Sequence, residues 1–98
     1  MILSIIVPTY NEEKTIIKIL EKIKNNSSDF FKYEVIVIDD ASTDQSSKLL
    51  EDNKHLYDKL LINETNKGKG FSVKRGISSA SGTHVIFQDA DLEYNPGD

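Results

Sequence analysis

Val35-Ile36-Val37-Ile38-Asp39-Asp40 puts four β-branched residues in a row and then two acids. An unbroken apolar run of this length suits a strand covered on both faces. Ser42-Thr43-Asp44-Gln45 follows with a capping-box pattern, so a helix is expected to open there and run to about Lys54, with Leu49 and Leu50 facing inward. The alternation extends upstream. Ile2-Leu3-Ser4-Ile5-Ile6-Val7 reads as a buried strand stopped by Pro8, and Asn11 suits the cap of a helix opening with Glu12 and Glu13. Ile16, Ile19, Leu20 and Ile23 recur at helical spacing, opposite Lys18, Glu21, Lys22 and Lys24, and the polar run from Asn25 to Asp29 ends that helix. Downstream, Lys59-Leu60-Leu61-Ile62 is a weaker strand and Asn63 to Gly70 a polar loop. Val73, Ile77 and Ala80 mark a third helix, in which Gly76 costs about 1 kcal/mol relative to Ala. His84-Val85-Ile86-Phe87 is the last strand, with Asp89-Ala90-Asp91 directly after it.

The resulting βαβαβαβ order predicts an open, mainly parallel α/β sheet with right-handed crossovers. At 98 residues the chain is one domain, and its 12 bases against 16 acids give a net charge of −4, which argues against nucleic acid as a partner. Cysteine is absent, which excludes disulfides and thiolate metal sites. No apolar run is long enough to span a bilayer or serve as a secretory leader, so a cytoplasmic location is expected.

In open parallel sheets, ligands bind beyond the carboxyl ends of the strands. Leaving Glu64 aside, those ends carry Glu12, Asp39, Asp40, Asp44, Asp89, Asp91 and Glu93, opposed by Lys67 and Lys69 alone. So many like charges call for a cation or for donors from a ligand. Asp89 and Asp91 bracket one small residue at a strand end, where two carboxylates can converge on Mg²⁺ or Mn²⁺ and leave room for phosphate oxygens. Asp39 suits either of two tasks, capping its own turn or accepting hydrogen bonds from a nucleoside. Tyr10 either covers the sheet edge or stacks on a base, and Lys69 between Gly68 and Gly70 is either a solvated lysine or a phosphate ligand. Glu13, Asp44 and Asp98 read as helix-end or turn acids, and His55 and His84 as ordinary surface or strand residues. The loop is neither a Walker motif nor a dinucleotide fingerprint, and no Ser/His/Asp nucleophile arrangement is evident.

Four segments, Pro8-Thr9-Tyr10-Asn11-Glu12, Val37 to Asp44, Asn66-Lys67-Gly68-Lys69-Gly70 and Gln88-Asp89-Ala90-Asp91-Leu92-Glu93, together resemble the family 2 glycosyltransferases, above all the polyprenyl-phosphate (dolichyl-phosphate) hexosyltransferase group. The resemblance implies the Rossmann-like half of a nucleotide-diphospho-sugar transferase (GT-A) fold. It implies that Pro8, Tyr10, Glu12 and Asp39 hold the nucleoside of a UDP- or GDP-sugar. Asp89 and Asp91 would bind Mg²⁺ or Mn²⁺ beside the diphosphate, and Lys69 would approach the phosphates. Transfer would invert the anomeric carbon, with a polyprenyl phosphate or a saccharide as acceptor. A lipid phosphate is already anionic and needs no general base; a hydroxyl acceptor needs one, and no residue here is assigned that task.

The family's catalytic domain is longer than this chain. Residues 1–98 are therefore expected to be its nucleotide-sugar-binding part, ending after the Asp-x-Asp motif, inactive alone and prone to self-association through an uncovered sheet edge. Full-length protein would act at the cytoplasmic face of a membrane. Two other readings compete: a non-catalytic nucleotide-binding module, and a phosphoacceptor receiver domain, which leaves Pro8 to Glu12 unexplained.

Overall fold

The two β-branched runs form the middle of the sheet in the computed structural model, which describes residues 1–26 and 32–90. Strand β1 (Ile2–Thr9) pairs in parallel with β2 (Lys32–Asp39) along its full length, from Ile2 opposite Lys32 to Thr9 opposite Asp39. Strand β3 (Lys59–Ile62) lies outside β2 and β4 (His84–Phe87) outside β1, giving the order β3-β2-β1-β4 with every pair parallel. Helices α1 (Ile16–Asn25), α2 (Ser46–Asp52) and α3 (Lys69–Ser79) make the crossovers, and a 3₁₀ turn at Lys54–Leu56 follows α2. The open parallel α/β sheet read from the sequence is the one observed. No helix among the described residues is long and apolar enough to cross a membrane.

Side chains on a strand alternate between faces, and this parity divides the core. Ile5, Val7, Val35 and Val37 pack against Ile16, Ile19, Leu20 and Ile23 of α1 and against Leu50 and Leu56. Ile6, Ile36 and Ile38 form a separate cluster on the opposite face, with Leu61 and Ala80. Each fully buried side chain of this kind contributes about 1.5–3 kcal/mol.

Four local expectations are corrected. Pro8 does not stop β1, which runs on to Thr9. Thr9 O accepts from Asp40 N on the β2 side and Ile6 O from Gln88 N on the β4 side. Pro8, alternate to Thr9, therefore turns its nitrogen toward β4, just beyond the last pair of Ile6 with Phe87, and having no N–H to donate it ends that ladder while the β2 side runs on. Asn11 does not cap α1, which opens at Ile16. It sits at φ 51° and spans to the next crossover, its Oδ1 accepting from Thr43 N (2.7 Å) and Asp44 N (3.2 Å). Helix α2 starts only at Ser46, because Asp44 Oδ1 takes the Ser46 N–H (2.9 Å) and Oδ2 the Glu13 N–H (3.2 Å), holding 42–44 as a loop, and it ends at Asp52. Helix α3 turns Ser72 and Gly76 inward while Ile77 is exposed. A Cβ at position 76 would lie 2.7 Å from both Ile38 Cδ1 and Ile6 Cγ2, so the glycine that weakens the helix is what lets it lie on the sheet.

At the amino end, Glu34 ties three strands together. It accepts from Ser4 Oγ (2.7 Å) and Ser81 N (2.8 Å) and pairs with Lys59 (3.5 Å). Burial acts to raise its pKa, but bonds from the Ser81 side chain and backbone and from Ser4, with the charge of Lys59, bring it down to about 2.

Candidate functional site

The register sets Thr9, Asp39 and Ile62 level with one another, and β4 runs past Phe87 toward the same rim. A cleft of about 320 Å³ opens there. Of the residues expected to bind ligand, Pro8, Tyr10, Glu12, Lys69 and Asp89 line it together, from three segments distant in sequence. Thr9, Asp40, Ser72 and Ala90 complete its wall. Asp91 and Glu93 lie outside the described residues, as does the polar run after Asn26.

Asp39 is the exception. It is fully buried and does not line the cleft. One carboxylate oxygen accepts from Ser42 N (3.1 Å) and the other from the Ser47 hydroxyl, so Asp39 fixes the turn into α2. Asp40 takes the place in the cleft wall. Strand parity explains the exchange: Asp39 follows Val35 and Val37 toward the α2 face, and Asp40 follows Ile36 and Ile38 toward the α3 face. That parity was readable in the sequence.

Asp40 also organises the loop before α3. Its Oδ1 accepts from Lys67 N (2.7 Å) and Asn63 Nδ2 (2.8 Å), and its Oδ2 from Gly68 N (2.9 Å). Burial works to raise the carboxyl's pKa, but the Lys67 N–H, the Asn63 amide and the Gly68 N–H outweigh it and hold the group below the usual carboxylate value. Gly68 adopts φ 92°, a conformation glycine takes without strain, and so allows the chain to turn both N–H groups onto one carboxylate. Asn63, buried, passes the connection on to Ser72 Oγ (2.9 Å) and accepts from Arg75 (2.9 Å). Sequence reasoning missed Asn63 and Ser72 because their partners are fixed only once α3 docks.

Across the cleft, Glu12 accepts from Thr15 Oγ1 (3.3 Å), and the same hydroxyl bonds the carbonyl of Ala90, fastening the segment after β4 to the first crossover. Glu12 N donates to Ser46 Oγ (2.9 Å). Lys69 Nζ forms an ion pair with Asp89 Oδ1, both side chains being largely exposed. The described cleft residues thus set Glu12, Asp40 and Asp89 against Lys69, which keeps the acid excess expected of this rim. No group of three or more His, Cys, Asp or Glu side chains among the described residues could enclose a metal. Tyr10, at 44% exposure, leaves its ring open to a flat partner.

The chain is 36% identical over 97 residues to undecaprenyl-phosphate 4-deoxy-4-formamido-L-arabinose transferase of Proteus mirabilis, covering 95% of this chain and 30% of that protein. Its fold matches the crystal structure of S. aureus TarS in complex with UDP-GlcNAc at a TM-score of 0.82 and 35% identity, over 93% of this chain and 27% of the other. It matches the mannosyltransferase PcManGT of Pyrobaculum calidifontis, in complex with GDP-Man and Mn²⁺, at a TM-score of 0.79 and 32% identity, over 91% and 27%. The sheet is thus the Rossmann-like part of a GT-A fold, and the chain spans less than a third of the length of these relatives. The model of glycosyl transferase family 2 matches residues 4–98, nearly the whole sequence, and the chain belongs to that family.

Proposed function

We propose that the carboxyl-edge cleft binds the nucleoside diphosphate of a sugar donor, UDP- or GDP-linked, and that the chain is the donor-binding part of a hexosyltransferase. The observation that carries this reading is the convergence of Pro8, Tyr10, Glu12, Asp40, Lys69 and Asp89 on one cleft. Tyr10 stacks on the base. Asp40 already accepts three hydrogen bonds; a carboxylate has about four acceptor positions, which leaves one for a base N–H or a ribose hydroxyl. Asp39 positions the loop behind it. Pro8 and Glu12 shape the floor beneath the nucleoside, and Lys69 reaches the diphosphate. UDP-GlcNAc in TarS and GDP-Man in PcManGT support a nucleotide-sugar ligand.

A divalent cation fits this donor set. Asp89 offers an exposed carboxylate at the cleft that already takes a cation, the Lys69 ammonium. Mg²⁺ and Mn²⁺ need few protein oxygens and complete their shells with phosphate and water. Asp89 and Asp91 would hold the ion, and PcManGT's Mn²⁺ supports that choice. When bound, it supplies positive charge where the departing nucleoside diphosphate gains negative charge. The acceptor is a polyprenyl phosphate or a saccharide, attacking with inversion and supported by the undecaprenyl-phosphate relative. With a lipid phosphate acceptor the full-length enzyme works at the cytoplasmic face of a membrane.

Titration calorimetry with UDP and GDP, with and without Mn²⁺, tests the reading. Metal-dependent binding of one nucleotide, lost in Asp89→Ala and Asp91→Ala, is expected. Heat of binding that is absent for both nucleotides, or indifferent to the metal, overturns it.

A further inference from the structure

Lys69 and Asp89 both line the cleft and are paired with each other. The ammonium therefore occupies one oxygen of the carboxylate that the proposed function gives to the divalent cation. From this geometry we infer that Lys69 is an exchangeable placeholder: it neutralises Asp89 while the cleft is empty and transfers to the diphosphate when donor and metal enter together. The inference rests on the donor-site reading above.

Three features of the structure support it. Among the described residues Lys69 is the one basic side chain lining the cleft, so it is the one that can offset any of the acids there. Its backbone is anchored, because Asp40 grips the N–H groups of Lys67 and Gly68 just before it, while its side chain is 63% exposed and free to swing about that fixed point. The neighbouring Lys67 is engaged elsewhere, its Nζ 6.0 Å from the centre of the Phe71 ring. A divalent cation and an ammonium repel each other at one carboxylate, so metal without nucleotide must expel Lys69 into water. A diphosphate gives the expelled ammonium a new partner. Metal and nucleotide then raise each other's affinity, and by linkage the enhancement is equal in both directions.

The test is Mn²⁺ affinity, read from the electron paramagnetic resonance signal of free Mn²⁺, with and without UDP or GDP, for this chain and for Lys69→Gln, Lys67→Gln and Asp89→Asn. Lys69→Gln is expected to bind Mn²⁺ alone about fivefold tighter than the unsubstituted chain, the scale of an exposed ion pair. With nucleotide present it should bind Mn²⁺ more weakly than the unsubstituted chain. Lys67→Gln makes the same change in net charge and should shift neither value. Opposite signs in the two conditions are a result that a purely structural role for Lys69 does not produce. The inference is overturned if Lys69→Gln binds Mn²⁺ alone no tighter, or changes only as Lys67→Gln does. If nucleotide-dependent Mn²⁺ binding is lost in Asp89→Asn but indifferent to Lys69, the donor site stands and the placeholder falls. If the unsubstituted chain binds no Mn²⁺ even with nucleotide, both fall.

Discussion

Replacing Asp40 with Asn probes the wall of the cleft with the least change in shape. Asn can keep one oxygen for Lys67 N and Asn63 Nδ2, which now share Oδ1 at 2.7 and 2.8 Å. Its amide nitrogen then faces Gly68 N, a donor set against a donor that now has an acceptor at 2.9 Å. A polar group left without its partner costs about 1–3 kcal/mol, and the two surviving bonds lose their charge assistance. About 2 kcal/mol of local stability corresponds to roughly 30-fold faster hydrogen exchange at the Gly68 amide. Exchange followed by NMR at neutral pH should show this acceleration at Lys67 and Gly68, with little change at Val37 in the centre of β2. Because Asp40's pKa is lowered on folding, its contribution is complete above the unfolded value of 3.8 and fades as pH falls through the folded value. Unchanged protection at Gly68, or equal acceleration throughout the sheet, would show that Asp40 does not hold the loop.

Three further outcomes follow from the same structure. Gly76→Ala gains about 1 kcal/mol of helix propensity but forces a methyl into the 2.7 Å contacts with Ile6 and Ile38, where overpacking costs about 1–3 kcal/mol. A lower urea midpoint is expected, and a higher one refutes the close packing of α3. Glu34, with its pKa down from 4.5 to about 2, stabilises the fold fully above pH 4.5 and progressively less as pH falls toward 2. Glu34→Gln should cost about 2 kcal/mol at pH 7 and flatten the pH dependence in that window, and parallel acid-unfolding curves for the two proteins would contradict this. Tyr10→Ala should lower nucleotide affinity about tenfold with stability unchanged, through loss of base stacking, whereas Asp39→Asn should lower the unfolding midpoint, because the amide keeps one oxygen where the carboxylate offered two to Ser42 and Ser47. Equal behaviour of the two variants in calorimetry and urea unfolding would undo the separate roles given to them.

The strands were legible because burial on both faces leaves a local mark: Ile5 to Val7 and Val35 to Ile38 are apolar at every position. The shared rim was legible for the same reason, since parallel strands end on one side and the unusual residues follow each end. Helix starts were not. Asn11 and Asp44 look like caps for the residues after them, but Asn11 reaches the 43–44 backbone and Asp44 Oδ2 reaches Glu13 N, and no local pattern announces a bond across more than thirty residues. The inner face of α3 was hidden because its inward residues, Ser72 and Gly76, are small and polar or bare, while the apolar Ile77 faces out. Asp39 and Asp40 show both sides of the matter. Their position at a strand end was plain, and which of them faces the cleft needed only the alternation of the strand carried one residue further.

The central claim is that the carboxyl-edge cleft is where the donor's nucleoside diphosphate sits. Amide chemical shifts of the chain, titrated with UDP and with GDP in the presence of Mg²⁺, test it most directly. One nucleotide should shift the signals of Thr9 to Glu12, Asp40, Lys69 and Asp89–Ala90 together, with a single affinity and in a metal-dependent way. Shifts confined to the other end of the sheet, around Tyr33 and Tyr57, or no shifts with either nucleotide, would contradict it.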